Sequence, residues 1–118
     1  MILADTSVWI DHLRSGNNRL RELLEEGEVL SHPFVLGELA CGNLRNRDEI
    51  LELLASLPEA EIAEQHEVLH VIARHRLPGR GVGWVDAHLL TAALLNRSRL
   101  WTLDKPLAKA ARSLKIDA

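Results

Sequence analysis

The chain has 118 residues, of which 47% are apolar and 26% charged, with one cysteine and a formal net charge of −3. This length gives room for one domain with one continuous core, covering residues 1–118, and a single cysteine excludes an intramolecular disulfide, so we expect a cytoplasmic protein. No apolar run reaches the roughly 18–20 residues that cross a bilayer and the first residues lack a signal-peptide pattern, so neither membrane insertion nor processing is expected.

Short apolar segments alternate with amphipathic ones along the whole chain. In the first half, the pattern predicts strands at 2–4 and 29–31 and helices at about 8–13, from about 20 to Gly27, from Pro33 to about 44, and from about 50 to Pro58. In the second half, it predicts a weak strand at 61–62, a helix at about 64–77, a loop at 78–83, a helix at 84–95, a strand at 100–103, a helix at 106–114 and an edge strand at 115–117. Short strands separated by helices imply a parallel sheet covered on both faces by right-handed crossovers. We therefore predict a three-layer α/β/α fold with a central parallel sheet of four to five short strands.

Two acidic residues directly follow predicted strands. Asp5 comes after strand 2–4, and Asp104 comes after strand 100–103. The carboxyl ends of parallel strands meet at one edge of a sheet, where functional groups gather. Each residue also has a purely structural explanation, as a helix N-cap for Asp5 and as a turn residue for Asp104.

Two further acids lie on predicted helices. Glu38 is surrounded by apolar residues on every side of its helix, which predicts a buried helix. A buried, ionised carboxylate is costly unless it pairs with an arginine or binds a metal. Asp86 occupies the first turn of helix 84–95, where the helix dipole alone would explain an acid.

Four carboxylates in one place would form a negative pocket that requires cations. Hard divalent ions with oxygen ligands, Mg²⁺ or Mn²⁺, are the natural occupants. Such ions activate water and stabilise the leaving oxygen in the hydrolysis of phosphodiesters. The acids therefore predict a metal-dependent phosphodiesterase.

Four segments match a known family in order and spacing. They are Asp5-Thr6-Ser7 after the first strand, Leu36-Gly37-Glu38-Leu39, the segment 83–90 that contains Asp86, and Trp101-Thr102-Leu103-Asp104. From residue 1 to about residue 112, the chain resembles a PIN domain, and within that group a VapC-type toxin of a bacterial type II toxin–antitoxin pair. The resemblance implies a sequence-selective endoribonuclease that uses Mg²⁺ or Mn²⁺, forms a homodimer and is neutralised by a cognate antitoxin protein.

The resemblance also implies roles for particular residues. It makes Asp5, Glu38, Asp86 and Asp104 the catalytic and metal-binding acids. The hydroxyls of Thr6 and Thr102 match polar positions that support the metal or the substrate. Relatives often carry Asn at the fourth acidic position, which implies that Asp104 orients water more than it binds metal directly.

Positive charge is concentrated in the second half of the chain. Residues 68–118 carry nine bases and three acids, whereas residues 1–67 carry five bases and 14 acids. Local charge attracts a phosphate backbone more than net charge does. The candidates for phosphate contact, which we expect to flank the Asp104 end of the sheet, are Arg97, Arg99, Lys105, Lys109 and Arg112. A solvated helix surface explains the same residues equally well.

Several sequence features allow other interpretations. His66-Glu67-Val68-Leu69-His70 matches the H-E-x-x-H pattern of zinc metalloproteases, but no later glutamate or correctly spaced histidine supplies a third ligand, so we expect an amphipathic helix with Leu69, Ile72 and Ala73 inward and its histidines outward. A phosphoacceptor receiver domain would need adjacent acids after the first strand, which are missing. A non-catalytic PIN-like scaffold that acts through its antitoxin complex is the third alternative, although it gains nothing from four mutually repelling carboxylates.

The three tryptophans and one histidine stand outside these assignments. Trp9, Trp84 and Trp101 could stack on unpaired RNA bases, but we expect them to anchor the core. His88 lies two residues beyond Asp86 and has no assigned role.

Overall fold

The structure is a computed structural model that describes all of residues 1–118. Seven helices and three short strands follow one another along the chain. The elements are β1 (Ile2–Ala4), α1 (Thr6–Ser15), α2 (Asn18–Glu25), β2 (Val29–Leu30), α3 (Pro33–Cys41), α4 (Arg47–Ser56), α5 (Gln65–Arg74), α6 (Trp84–Leu95), β3 (Arg99–Trp101) and α7 (Lys105–Ser113). No helix is both long enough and apolar enough to span a membrane.

The three strands form one parallel sheet in the order β2-β1-β3. In the central strand, Ile2 lies opposite both Val29 of β2 and Arg99 of β3. Because all three strands run in the same direction, their carboxyl ends lie at one edge, and there the amide of Asp5 donates to the carbonyl of Trp101 at 3.0 Å. The predicted fold class, α/β with a central parallel sheet, is confirmed.

The predicted number of strands is wrong, because only three of the four to five form. The predicted strand 61–62 does not form, and the nearest pairing is an isolated parallel bridge between Ser31 and Glu59. In the predicted strand 115–117, only Asp117 pairs, in an isolated parallel bridge with Leu100. Proline has no amide hydrogen to donate, so Pro58 cannot extend the first of these pairings. Lys115 has a φ of 60°, a left-handed conformation that interrupts an extended run just before the second.

The core surrounds the central strand. Leu3 and Ala4 of β1 are completely buried, and every residue from Ala87 to Ala93 in α6 is buried too. The predicted core role is confirmed for Trp9 and Trp101 and wrong for Trp84, whose side chain lies at the surface. Asp5 and Asp104 therefore lie just beyond the edge of the sheet that this core surrounds.

Candidate metal-dependent nuclease site

Asp5 is a buried carboxylate with three hydrogen-bond donors around it. As N-cap of α1, it accepts from the Val8 amide at 3.3 Å on Oδ1. The Ser7 hydroxyl donates to the same oxygen at 2.5 Å, and the Thr102 hydroxyl donates to Oδ2 at 2.5 Å. The predicted N-cap role is therefore real, but it uses only part of the acceptor capacity of Asp5.

Two hydroxyl groups connect Asp5 to the chain that follows β3. The Thr102 oxygen accepts from the Asp104 amide at 3.0 Å, and the Ser7 oxygen accepts from the Leu103 amide at 2.9 Å. These bonds hold the start of α1 against the chain that follows β3, so hydrogen bonds connect the segments that leave β1 and β3. Ser7 was not among the predicted site residues. It lies two positions after Asp5, in the segment Asp5-Thr6-Ser7.

Glu38 is exposed, so the prediction of a buried carboxylate on a fully buried helix is wrong. Only Val35 and Leu39 of α3 are buried. The side of α3 that carries Glu38 borders an open groove, and an apolar composition alone cannot force burial. Within the site, the Thr6 hydroxyl donates to Glu38 Oε1 at 2.7 Å, which links α3 to the start of α1.

Asp86 shows that the four acids influence one another. It lies in the first turn of α6, where it accepts from the Gly83 amide at 3.2 Å. Partial burial raises the pKa of Asp86, and the negative charges of Asp104, Asp5 and Glu38 raise it further, against the opposing effect of the Gly83 hydrogen bond. Asp86 therefore lies within electrostatic range of the other three acids that the sequence predicted for the site.

No cation of the protein balances these charges. The ion pairs within 4.0 Å lie elsewhere, and they join the N-terminus to Glu28, Arg47 to Asp48 and His66 to Glu64. The alternative explanation of Glu38 as the partner of a buried arginine is thus wrong. Like charges without counterions repel one another, so a cation bound at this edge of the sheet would reduce the repulsion.

Asp104 is exposed and caps α7. Its Oδ2 accepts from the Leu107 amide at 3.0 Å, so the carboxylate caps the helix that begins a short distance after β3. The structural role predicted for a residue at this turn is present beside its contribution to the negative field around Asp86.

The donor set fits a hard divalent cation in its chemistry. All four groups are carboxylates, and the neighbouring hydroxyls of Thr6, Ser7 and Thr102 add further oxygens. No three acidic, histidine or cysteine side chains stand close enough to make a finished coordination sphere.

The basic residues predicted to flank Asp104 divide into two groups. Lys105 directly follows Asp104 at the start of α7, and Lys109 and Arg112 lie further along the same helix. Arg97 and Arg99 lie at the opposite end of β3, where Arg99 donates to the carbonyl of Asp117 at 3.0 Å. Their predicted position at the Asp104 end is wrong, because a strand separates its first and last residues by its full length.

The H-E-x-x-H segment lies on α5, away from the four acids. His66 and His70 are exposed as predicted, but Leu69 is exposed and Val68 and Val71 are the buried residues. Of the residues predicted to face inward, Ile72 packs against the core, whereas Leu69 and Ala73 are exposed. Glu67 accepts from the Glu64 amide at 2.9 Å, so this carboxylate caps α5.

A parallel α/β sheet with a carboxylate cluster beyond its strand ends is the arrangement of a PIN domain, and the family model described as "PIN domain" matches residues 2–113. The chain belongs to the PIN domain family, in its VapC-type group.

The relatives are consistent with that membership. Ribonuclease VapC32 from two strains of Mycobacterium tuberculosis, CDC 1551 / Oshkosh and ATCC 25618 / H37Rv, is 51% identical over 111 residues, which cover 93% of this chain and 90% of the relative. The crystal structure of PAE2754 from Pyrobaculum aerophilum has a TM-score of 0.67 and 18% identity, and the match covers 95% of this chain and 80% of that one. At that identity, the second likeness concerns the fold alone.

Proposed function

We propose that this chain is a metal-dependent endoribonuclease and the toxin of a type II toxin–antitoxin pair. Its site would consist of Asp5, Glu38, Asp86 and Asp104 with Mg²⁺ or Mn²⁺. The observation that carries the proposal is the placement of Asp5 and Asp104 after neighbouring parallel strands, joined through the Thr102 hydroxyl, with no ion pair between a basic side chain and any of the four acids. Four uncompensated acids at one sheet edge cost stability, and a divalent cation would offset that cost.

A divalent ion held by these carboxylates supplies positive charge for the scissile phosphate and makes water a better nucleophile. The side chains around it hold the acids in place. Thr102 and Ser7 orient Asp5, and Thr6 orients Glu38. Fixed carboxylates need no rearrangement as charge develops on the phosphate, which is the condition for electrostatic catalysis.

RNA as the substrate and a protein antitoxin as the partner are supported by kinship. The name of the VapC32 relatives describes them as ribonucleases. We extend that activity to this chain, together with the homodimer, the cognate antitoxin and the cytoplasmic location that VapC-type proteins imply.

The test is cleavage of single-stranded RNA by the purified protein. We expect cleavage with Mg²⁺ or Mn²⁺, none in EDTA, and recovery when the ion is restored. Asp5→Asn should lower the cleavage rate by on the order of 100-fold or more, because one of the acids that bind the ion is lost. Asn retains an oxygen that can accept from the Val8 amide, so the helix cap should survive.

The matched control is Asp48→Asn, because Asp48 is an exposed acid on α4 outside the site. It should cleave like the wild type. Cleavage that persists both in EDTA and in Asp5→Asn would overturn the proposal. A protein that binds its antitoxin but cleaves no RNA under any of these conditions would favour the non-catalytic scaffold.

A further inference from the structure

We propose that Trp84 is a stacking platform for an unpaired base next to the scissile phosphate. The proposal rests on the proposed ribonuclease activity and assigns a positioning residue within it. It makes the substrate a single-stranded RNA whose nucleotide is unstacked at the site of cleavage.

The first observation is the exposure of Trp84. Its residue surface is 44% exposed, whereas Trp9 and Trp101 are 1% and 8% exposed. Tryptophan carries the largest apolar surface of any side chain, and burying it would stabilise the fold. Trp84 is the first residue of α6, two positions before Asp86, so it belongs to the end of the helix that carries this acid.

The second observation is the way in which the ring is held. Trp84 meets His88 edge-to-face, with ring centroids 4.8 Å apart and an interplanar angle of 84°. His88 in turn packs against Phe34 at 4.7 Å, and Phe34 packs against His32 at 5.1 Å. His88, which is buried, supports Trp84 from the protein side, and the near-perpendicular contact leaves at least one face of the indole free of His88.

The third observation is that Trp84 shares a groove with a member of the acid cluster. The groove lies between α3 and the start of α6, and its volume is about 650 Å³. Its lining is mainly apolar, and it includes Phe34, Val85 and the carboxylate of Glu38. Trp84 and Glu38, one of the four acids that we propose for the metal, therefore line the same groove.

The charge of the groove selects the part of RNA that fits it. A phosphate would meet the negative charge of Glu38 and an apolar wall, whereas a neutral, planar base can stack on an indole. Single-stranded RNA is commonly bound in this way, with splayed bases on aromatic rings and phosphates outside. An endonuclease must also hold the nucleotide beside the phosphate that it cleaves, and Trp84 lies where that nucleotide would be.

The test compares Trp84→Ala with Trp84→Phe. Binding is measured by the fluorescence anisotropy of labelled, single-stranded oligoribonucleotides of random sequence, in the Asp5→Asn background without divalent ions. We expect Trp84→Ala to weaken binding roughly tenfold or more, as for the loss of one stacked base, and Trp84→Phe to retain most of the affinity. In cleavage assays on the otherwise wild-type protein, Trp84→Ala should raise KM more than it lowers kcat.

A spectroscopic readout separates stacking from a general structural effect. RNA should quench the tryptophan fluorescence of the Asp5→Asn protein, and this quenching should vanish when Trp84→Phe is added, although RNA still binds. The remaining tryptophans, Trp9 and Trp101, are buried and should not respond. Leu69→Ala on α5 is the matched control, because it removes an exposed apolar side chain of similar accessibility outside the groove.

The outcomes distinguish the two proposals. If the protein with all four acids cleaves no RNA, the ribonuclease proposal fails. If it cleaves RNA and Trp84→Ala binds and cleaves like the Leu69→Ala control, stacking by Trp84 is overturned. A Trp84→Ala variant with unchanged RNA affinity but altered oligomeric state in size-exclusion chromatography would also overturn stacking, and would assign the groove to a protein contact.

Discussion

Asp5 illustrates how a single residue serves both the fold and the candidate site. Its carboxylate caps α1 and receives hydroxyl donors from Ser7 and Thr102, which lie 95 residues apart in the sequence. A carboxylate bound this way has one fixed orientation. The support for the acid is therefore part of the site, although none of these hydroxyls carries charge.

The bond from Thr102 to Asp5 can be removed with little change of shape. Thr102→Val deletes the donor to Asp5 and the acceptor for the Asp104 amide, so a buried carboxylate oxygen loses a partner. We expect a loss of about 1–3 kcal/mol in the free energy of unfolding, measured by urea denaturation, and a roughly 10- to 100-fold lower cleavage rate. Thr102→Ser keeps the hydroxyl and should recover most of both; equal effects of Val and Ser would refute a role for the hydrogen bond.

His32 provides a second residue-scale property, an acid-sensitive stability. It is fully buried as N-cap of α3, where Nδ1 accepts from the Phe34 amide at 3.0 Å. Burial, and to a lesser degree the charge of His88, lowers the pKa of His32 from 6.5 to about 4. The folded state therefore keeps the neutral imidazole at pH values where the unfolded chain is already protonated.

The sign of the pH dependence follows from that difference. The stability that neutral His32 provides is complete above pH 6.5 and is lost as the pH falls towards 4, because the unfolded state gains the proton first. The total change is about 3 kcal/mol by linkage. His32→Asn keeps a cap acceptor but does not titrate, so urea denaturation between these pH values should show a flatter profile. Parallel losses in the two proteins would contradict the assignment.

At the scale of elements, the loop 78–83 determines where α6 begins. It supplies the Gly83 amide that binds Asp86, and Gly81 packs against Pro106 at the start of α7. The loop thus connects the helix that carries Asp86 with the helix that Asp104 caps. Gly81 has a φ of +75°, and a Cβ there would lie 3.2 Å from Pro106 Cβ.

Gly81→Ala should therefore be more harmful than the same change at Gly79. Both glycines have left-handed backbones, so each alanine costs roughly 1–2 kcal/mol in strain. A Cβ at Gly79 has nothing within 4 Å, whereas at Gly81 it crowds Pro106. We expect a lower melting temperature and lower cleavage rate for Gly81→Ala than for Gly79→Ala. Equal effects of the two substitutions on melting temperature and cleavage rate would mean that the contact between Gly81 and Pro106 is unimportant.

Sequence patterns predicted the positions of the helices better than they predicted which helix faces are buried. All seven helices were expected close to their observed positions, because their apolar spacing and terminal residues are local signals. The burial of α3 and the inward face of α5 were predicted incorrectly, since each depends on the neighbour against which a helix packs. The flanking strands were overestimated for a related reason: a segment around one apolar residue, Ile62 or Ile116, can suit a strand, but pairing needs consecutive amides in register.

At the scale of the whole molecule, positive charge is not gathered around the acids. The structure places Arg97, Arg99 and Lys115 around a common hollow that begins at the amino end of β3. On the carboxyl side of the sheet, Lys105 lies next to Asp104. The basic half of the sequence is therefore divided between opposite sides of the fold.

Because these basic residues lie on opposite sides of the fold, Lys105→Ala and Arg97→Ala should affect RNA binding differently. Lys105→Ala should weaken RNA binding and reduce the slope of log affinity against log salt by about 0.7, the value for one phosphate contact on a single strand. Arg97→Ala removes the same charge from the opposite side and should leave that slope unchanged. Both are measured by fluorescence anisotropy over a range of salt concentrations in the Asp5→Asn background. A larger effect of Arg97→Ala would place the RNA on the other side of the molecule.

The sequence by itself predicted the fold class and singled out the four acids that we propose for the site, because strand ends, helix starts and residue order are local properties of the chain. Tertiary structure alone decided the exposure of Glu38 and Trp84, the part played by Ser7 and the separation of Arg97 from Lys105. These properties depend on which segments meet across the sheet and on which helix face finds no neighbour. Such contacts join residues far apart in the chain, and no local pattern contains them.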